Sequence, residues 1–486
     1  MTLSALGRRV VPGNTGPILT AAAVAGLGAA AAVLVDPVVA LAGVVGALGA
    51  AALLFDPALG LGAMAVFAVM RLPDVATDFH GAPSLFTPLV AIIALALAIH
   101  ALSTGRRPAG GWRAAAAAGS MIAVALASLL FAEDPAGGLK ELEALAKDGA
   151  VAVLAGMLLF RAHQLRTVTW ILVGGGFTLS VLSVLQFATG SFDLVYGGFA
   201  QSAVQNIAGS TDDVRISGPI GDPNFYAQWL VMLVPLAIDR FGDENRGPLR
   251  VLAAAAAVLC SVAVVLTFSR GGLIALIAVL GLMALRHPPR LRTLAGLIAV
   301  GVLALPLVPN GYVDRVSALT DIGGVDAATD PSIRNRGAQF NAAWEMFSSR
   351  PLSGVGYGNY IERYNEYARD LGVDLTRKPR EAHNLFMETA AETGVPGLIV
   401  LGTVFTAAFA ALRAGRRRFR AMGDHRADGI GYALAVALIG YLVTSIFLHM
   451  AFARLVWLLL GLALAFPSTA RAEDRARTEV LLEAPG

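Results

Sequence analysis

Long uninterrupted apolar segments are the feature that most restricts how this 486-residue chain can fold. These segments lie near 17–35, 38–55, 57–72, 84–103, 114–132, 148–160, 167–189, 223–238, 250–268, 272–286, 293–309, 394–413, 428–447 and 452–467. A helix that crosses a membrane needs about 20 apolar residues, and some segments are shorter. Continuous apolar segments close to this length are typical of membrane-spanning helices. The sequence therefore predicts an all-α polytopic membrane protein with about 12–14 transmembrane helices.

The composition points to the lipid bilayer as the main surrounding of the chain. Hydrophobic residues make up 56% of the sequence, charged residues make up 15%, and the mean hydropathy is +0.67. A net charge of +3 is too small to indicate nucleic-acid binding. Cys260 is the single cysteine, which excludes an intrachain disulfide and a thiolate metal site.

The distribution of arginine and lysine predicts the orientation in the membrane. The most basic connecting segments are 105–113, 161–167, 239–250, 286–292 and 413–426. The positive-inside rule places these segments in the cytoplasm, together with both termini. We therefore expect a multi-pass protein of the cell (inner or plasma) membrane, with its active site on the outer face.

Two polar stretches on the predicted outer side are too long to be simple turns: about 190–223 and 310–394. In the second, Phe340, Trp344 and Phe347 recur at helical spacing, which predicts an amphipathic helix against an apolar surface. The predicted divisions are N-terminal transmembrane helices at 1–189, transmembrane helices with the first outer loop at 190–309, a large helical extracytoplasmic loop at 310–394, C-terminal transmembrane helices at 395–467, and a disordered cytoplasmic tail at 468–486.

The polar residues predicted on the outer face each have a structural explanation as well as a functional one. Asp222 before Pro223 is typical of a helix cap and first turn. Arg270, in a glycine turn, is typical of an arginine that reaches from a helix end to the interface. His383 precedes Asn384, a candidate helix cap, and a helix N-terminus lowers the pKa of an imidazole. His383 is therefore either a base or an interfacial hydrogen-bonding residue.

Several short motifs in the second half of the chain follow one another in a recognisable order. They are Arg215 before Gly-Asp-Pro-Asn-Phe (221–225), Ser269-Arg270-Gly-Gly, Arg336 with Trp344, Pro351 before Gly354-Val-Gly356, and His383-Asn384 before Glu392-Thr-Gly394. Each motif is weak alone, but the ordered set from about 205 to 410 resembles the O-antigen ligase and Wzy-type polymerase family.

The resemblance implies a GT-C-like membrane glycosyltransferase whose donor is a polyprenyl-diphosphate-linked glycan, such as an undecaprenyl diphosphate glycan used in polysaccharide biosynthesis of the cell envelope. It implies that His383 acts on the acceptor hydroxyl as a catalytic base. The residues implied to bind the substrate are Arg215, Arg270, Arg336, Asn224 and Asn384. The acceptor is a glycan, a lipid or a protein, and the sequence does not distinguish among them.

The chemistry of this reaction fits the residue types. Diphosphate is a good leaving group, so the reaction needs cations for the developing phosphate charge and a base for the incoming hydroxyl. Arginine keeps its charge and matches phosphate oxygens with paired donors. Asp212 and Asp213 lack obvious partners for a metal site, so we expect no metal and no cofactor.

A second hypothesis is a membrane transporter or flippase of a lipid-linked glycan. Transporters carry ionisable or helix-breaking residues near the middle of their spans. Here Arg270, His449 and Arg454 lie toward the predicted outer ends, and the polar chemistry lies in a long loop. This arrangement favours an enzyme, while a scaffold in an envelope assembly complex stays open as a third hypothesis.

Overall fold

The computed structural model describes residues 46, 49–104, 110–204, 214–286, 331–374, 379–449 and 453–483. The apolar segments near 17–35 and 293–309, most of 38–55, and the Asp212–Asp213 pair lie outside the described residues. The chain divides into two compact units, one of residues 1–60 and 87–107 and the other of residues 61–86 and 108–486. The first unit is helical at 49–55 and 87–104, and the second contains every candidate site residue named above.

The described elements are helical apart from one short hairpin and one 3-10 turn. The helices are α1 (Ala58–Met70), α2 (Leu72–His80), α3 (Phe86–Thr104), α4 (Trp112–Leu129), α5 (Pro135–Leu158), α6 (Ala162–Thr189), α7 (Pro223–Asp243), α8 (Gly247–Leu266), α9 (Arg270–Arg286), α10 (Pro331–Ser349), α11 (Tyr360–Asp370), α12 (Leu385–Ala421), α13 (His425–Thr444) and α14 (Arg454–Glu483). The strands β1 (Gln201–Val204) and β2 (Val214–Gly218) pair antiparallel.

Within the described residues, seven helices are long and apolar enough to cross a membrane: α3, α4, α6, α8, α12, α13 and most of α14. The count rises to eight if α1 and α2, which meet at an angle of 52°, form one broken span. The prediction of an all-α polytopic membrane protein is confirmed. Helix α7 is almost wholly buried and packs against α8 and α13, so it forms the centre of the second unit.

The polar stretch before α7 leads into this helix through a helix cap. The Oδ1 atom of Asp222 accepts hydrogen bonds from the backbone N–H groups of Asn224 and Phe225, at 2.7 and 3.1 Å. Pro223 occupies the first helical position, where a missing N–H has no consequence. The cap predicted at Asp222 is confirmed, and it fixes where α7 begins relative to β2.

In the large loop, α10 and α11 pack against the first part of α12 around a buried cluster. Helix α10 is present as predicted, but its buried face differs from the predicted one. Phe340 and Trp344 are 46% and 51% exposed, whereas Ala342, Ala343 and Met346 are buried. The small alanine side chains allow a closer approach to the neighbouring helices than the aromatic face would.

The glycine-rich turn at 350–358 joins the loop to α12 through backbone hydrogen bonds. The N–H of Val355 donates to the carbonyl of Ala391 at 2.8 Å, and the N–H of Val395 donates to that of Pro351 at 2.8 Å. In the sequence, the α12 partners in these bonds lie before and after Gly394. The φ of 66° and ψ of −161° at Gly394 interrupt the helix. This backbone conformation is almost restricted to glycine. The loop is therefore held firmly on the membrane helix that follows His383.

The sequence predicted a disordered tail after Pro467. In the structure, α14 instead continues through this proline to Glu483. The Oγ1 atom of Thr469 donates to the carbonyl of Leu159 at 3.3 Å, and Ala470 is fully buried. Packing against α5 thus continues past the proline and maintains the helix. The last three residues, 484–486, lie outside the described part.

Candidate functional site

The backbone around His383 is fixed from both sides. The Oδ1 atom of Asn384 accepts hydrogen bonds from the N–H groups of Phe386 and Met387, both at 3.0 Å, so the predicted cap of α12 is confirmed. The N–H of Leu385 donates to the carbonyls of Ser445 and Leu448, at 2.9 and 2.8 Å. The oxygen of Asn384 thus acts in the helix cap, and α12 starts against the segment after α13.

His383 itself adopts a left-handed backbone conformation, with φ at 46°. Such a conformation costs a non-glycine residue about 1–3 kcal/mol and persists only where the surroundings enforce it. Phe268, next to the turn that begins α9, has a similar φ of 51°. Both strained residues lie in segments that carry predicted site residues.

A second histidine lies beside His383. The two imidazole rings of His383 and His449 meet edge to face, with centroids 5.7 Å apart. Phe225 contacts His449 in the same manner at 5.0 Å, and the Nε2 atom of His449 lies 3.4 Å from the carboxylate of Glu381. The Nδ1 atoms of both histidines are buried and have no hydrogen-bond partner among the described residues. Each of these two nitrogens can therefore take part in one more hydrogen bond, although neither is accessible to solvent in this structure.

The surroundings favour the neutral imidazole. Burial lowers the pKa of His383, the positive charges of Arg336 and Arg380 lower it further, and the negative charge of Asp222 acts in the opposite direction. The sequence also predicted a lowered pKa for His383, from its place at a helix N-terminus. In the structure, burial is the largest cause of the lowered pKa. Burial, with a smaller contribution from His383, lowers the pKa of His449 to about 3. Both rings are therefore neutral at pH 7, and His383 can accept a proton.

Burial also raises the pKa of the Glu381 carboxyl, and the negative charge of Asp222 raises it further. The side chain of Glu381 is 45% exposed and that of His449 is 11% exposed, so the carboxylate lies at the open edge of the pair. Because His449 is neutral at pH 7, its 3.4 Å contact with Glu381 is not an ion pair.

Phe447 connects two of the predicted arginine sites. The guanidinium carbon of Arg336 lies 6.0 Å from the centroid of its ring, within the range of a cation–π contact. A Cβ atom added at Gly271 would lie 2.8 Å from the same ring. Arg270 is the first residue of α9 and directly precedes Gly271. The structure therefore brings the Arg270 turn and Arg336 to the 445–449 segment that also contacts His383.

Arg215, a predicted substrate-binding residue, forms hydrogen bonds with two other parts of the fold. Its side chain is buried, and its Nε donates to the carbonyl of Thr267 at 2.7 Å. Its Nη2 donates to the Oδ1 atom of Asn224 at 3.1 Å. These bonds join β2 and the first turn of α7 to the end of α8, just before Arg270. Arg215 and Asn224 thus position the turn that presents Arg270.

Glu381, His383 and His449 also meet one geometric condition for a metal site, because one possible ligand atom from each lies within 4.8 Å of the others. The charges of Arg336 and Arg380 act on the same imidazole and oppose a divalent cation there. The negative charge of Asp222 acts on His383 in the opposite direction, so the site carries charges of both signs.

His449, Phe447 and Glu381 were not among the predicted site residues. Glu381 and His449 lie in different connections, before α12 and after α13, so no local spacing relates them. The one signal in the sequence is a phenylalanine and a histidine, Phe447 and His449, at the predicted outer end of an apolar segment. Their relation to His383 depends on the pairing of α12 with the segment after α13.

One family model matches part of the chain. The family model described as O-antigen ligase matches residues 255–402, which are 148 of the 486 residues. The matched stretch contains Arg270, Arg336 and His383, and it excludes Arg215 and Asn224. No curated protein matches the sequence at a significant level. The match supports assignment to the O-antigen ligase family and, with the membrane fold, a glycosyltransferase-like ligase or polymerase.

Proposed function

We propose that this chain, whose assignment to the O-antigen ligase family rests on residues 255–402, transfers a glycan from polyprenyl diphosphate to an acceptor hydroxyl. The observation that carries the proposal is a neutral, strained His383 under the positive charge of Arg336, within the matched stretch. The reaction takes place on the outer face, which the arginine distribution assigns to this end of α12.

In the proposed reaction, His383 is the base. The acceptor oxygen attacks the anomeric carbon, and its proton passes to the imidazole of His383. The bond between the anomeric carbon and the diphosphate oxygen breaks, and polyprenyl diphosphate leaves with the electron pair. The side chain of His383 is half-buried and its pKa is lowered by burial, so a neutral imidazole is present to accept the proton. A positioned base of this kind contributes about 10²–10⁴-fold to a rate.

Arg336 and Arg270 are proposed to hold the diphosphate. Charge develops on the phosphate oxygens as the glycosidic bond breaks, and guanidinium groups stabilise it with paired hydrogen bonds. The contact with Phe447 restricts the guanidinium of Arg336, so less side-chain freedom is lost on binding. Arg215 and Asn224 support this arrangement indirectly, through the turn before Arg270.

The test is transfer by purified protein in membranes, supplied with a polyprenyl-diphosphate glycan and candidate lipid, glycan and protein acceptors. Release of polyprenyl diphosphate, together with glycan on an acceptor, is the expected result. His383→Gln should bind the donor and remain folded but lose transfer by about 10²–10⁴-fold.

The matched control is His163→Gln, an exposed histidine in the first turn of α6, which should keep full activity. An active His383→Gln protein would remove His383 from the role of base. Movement of intact donor across the membrane, without release of diphosphate, would favour the transporter or flippase hypothesis instead.

A further inference from the structure

A groove lies between α4, the second half of α12, and α14. Its volume is about 450 Å³, within the range of sites that hold small ligands. Its walls are mainly small and apolar, and they include Ala117, Ala407, Ala411 and Leu464. Such walls suit a hydrocarbon chain and offer few hydrogen bonds to a polar ligand.

One end of the groove is positively charged. Arg113 lines it, and the Nη1 atom of Arg113 is buried with no hydrogen-bond partner in the described part of the chain. The charges of Arg113, Arg418 and Arg475 all repel that of Arg471. Asp474 lies 4.0 Å from Arg418 and offsets only part of this charge. A buried guanidinium donor without a partner is costly, so an anion at this position would stabilise the site.

The depth of the groove in the bilayer follows from Trp112. Its side chain is 63% exposed, and the guanidinium carbon of Arg113 lies 5.2 Å from its ring centroid. Exposed tryptophan and arginine together are typical of the level of the lipid headgroups. The apolar walls then extend from the headgroup level into the hydrocarbon region.

We propose that this groove binds an anionic phospholipid, with one acyl chain along the alanine walls and its phosphodiester on Arg113, where the charge of Arg471 also acts. The combination of an apolar groove with a cationic end selects a bilayer lipid over free phosphate, which could not use the walls. Under the predicted topology the lipid belongs to the cytoplasmic leaflet, where basic residues near the membrane attract anionic headgroups.

This site is separate from the proposed catalytic site. The α12 residues that line the groove begin at Thr403, about 30 Å along the helix from His383. A lipid in the groove contacts three helices at once and would stabilise their packing. The proposal does not depend on the glycosyltransferase assignment, since its measurements require no donor.

The test measures lipid retention by native mass spectrometry, and thermal unfolding, of the full chain in delipidated detergent micelles. Phosphatidylglycerol should be retained and should raise the unfolding temperature, while phosphatidylcholine and glycerol phosphate should have little effect. Arg113→Ala should reduce phosphatidylglycerol retention by about 10- to 100-fold, the loss expected for a charged hydrogen bond. Ala407→Trp, which fills the groove from an exposed position, should also reduce it.

Arg250→Ala is the matched control, because Arg250 is an exposed arginine on α8 that does not line the groove. If Arg113→Ala does not fold, Arg471→Gln replaces it, because it also lowers the positive charge at this end of the groove. Equal retention of phosphatidylglycerol and phosphatidylcholine by the unaltered protein would overturn the headgroup assignment. Unchanged retention in both the arginine and the Ala407→Trp variants would overturn the site.

Discussion

His449 lies edge to face against His383, with ring centroids 5.7 Å apart, and thereby limits the orientations open to the proposed base. Phe225, in the first turn of α7, also contacts the ring of His449, with centroids 5.0 Å apart. A row of three rings thus joins the centre of the fold to the residue that would accept the proton. The arrangement assigns His449 a positioning role through ring packing.

Replacement of His449 tests this role. His449→Ala removes the ring and should lower kcat by about 3- to 10-fold, the value of one aromatic contact, with little change in KM for the donor. His449→Phe keeps a ring but loses both nitrogens, and we expect it to retain most of the activity. If the phenylalanine variant is as slow as the alanine variant, the imidazole nitrogens rather than the ring packing are required.

The pH dependence of transfer should reflect the titration of His383. Burial and the charges of Arg336 and Arg380 lower its pKa, so activity should persist at pH 6.5 and fall only as the pH drops through the lowered pKa. Arg380→Gln removes a positive charge and should move the acid limb to higher pH. Asp222→Asn removes a negative charge while retaining a capping oxygen, and should move it to lower pH. If the unaltered protein, Arg380→Gln and Asp222→Asn all lose activity at the same pH, His383 is not the group whose titration limits the rate.

Arg336 is proposed to contact the diphosphate directly. Arg336→Ala should reduce transfer by about 10- to 100-fold, as expected for the loss of a charged hydrogen bond in the transition state. Arg336→Lys should restore part of the activity, since it supplies charge without the paired geometry. The control is Arg369→Ala, which alters a 59% exposed side chain in the same loop and should leave the rate unchanged. Full activity of a folded Arg336→Ala protein in a membrane assay would exclude Arg336 from the site.

Gly394 should be essential to the attachment of the large loop. In Gly394→Ala the new Cβ would lie 2.5 Å from the carbonyl oxygen of Pro351, in a backbone conformation that alanine rarely adopts. We expect a loss of about 1–3 kcal/mol in stability, measured as a lower unfolding temperature. Gly402→Ala, in the same helix with open space around it, should be neutral or slightly stabilising. Equal unfolding temperatures for the two variants would contradict the proposed attachment.

The predicted topology can be tested with single cysteines. Asp370, at the end of α11, and Ala421, at the end of α12, are both exposed. The native Cys260 is buried and should not react. A membrane-impermeant maleimide applied to intact cells should label Asp370→Cys, whereas Ala421→Cys should be labelled only after the membrane is opened. Labelling of both cysteines from the outside would contradict the predicted topology.

Much of the architecture could be predicted from local sequence patterns. Apolar segment length determined the membrane class, because lipid leaves helices as the available way to satisfy the backbone of each span. The caps at Asp222 and Asn384 were also predictable, since a capping side chain bonds to N–H groups only two or three residues away. The order of the motifs around Arg270, Arg336 and His383 predicted the family match.

Only the tertiary structure decided how these residues are used. Arg215 stays a predicted diphosphate ligand, and its hydrogen bond to Thr267, 52 residues away along the chain, could not be predicted from local spacing. The face that α10 buries and the contact of His449 with His383 likewise depend on which helices pack together. A sequence pattern records spacing within one segment, whereas these contacts join segments whose relative positions are set by packing of the whole fold.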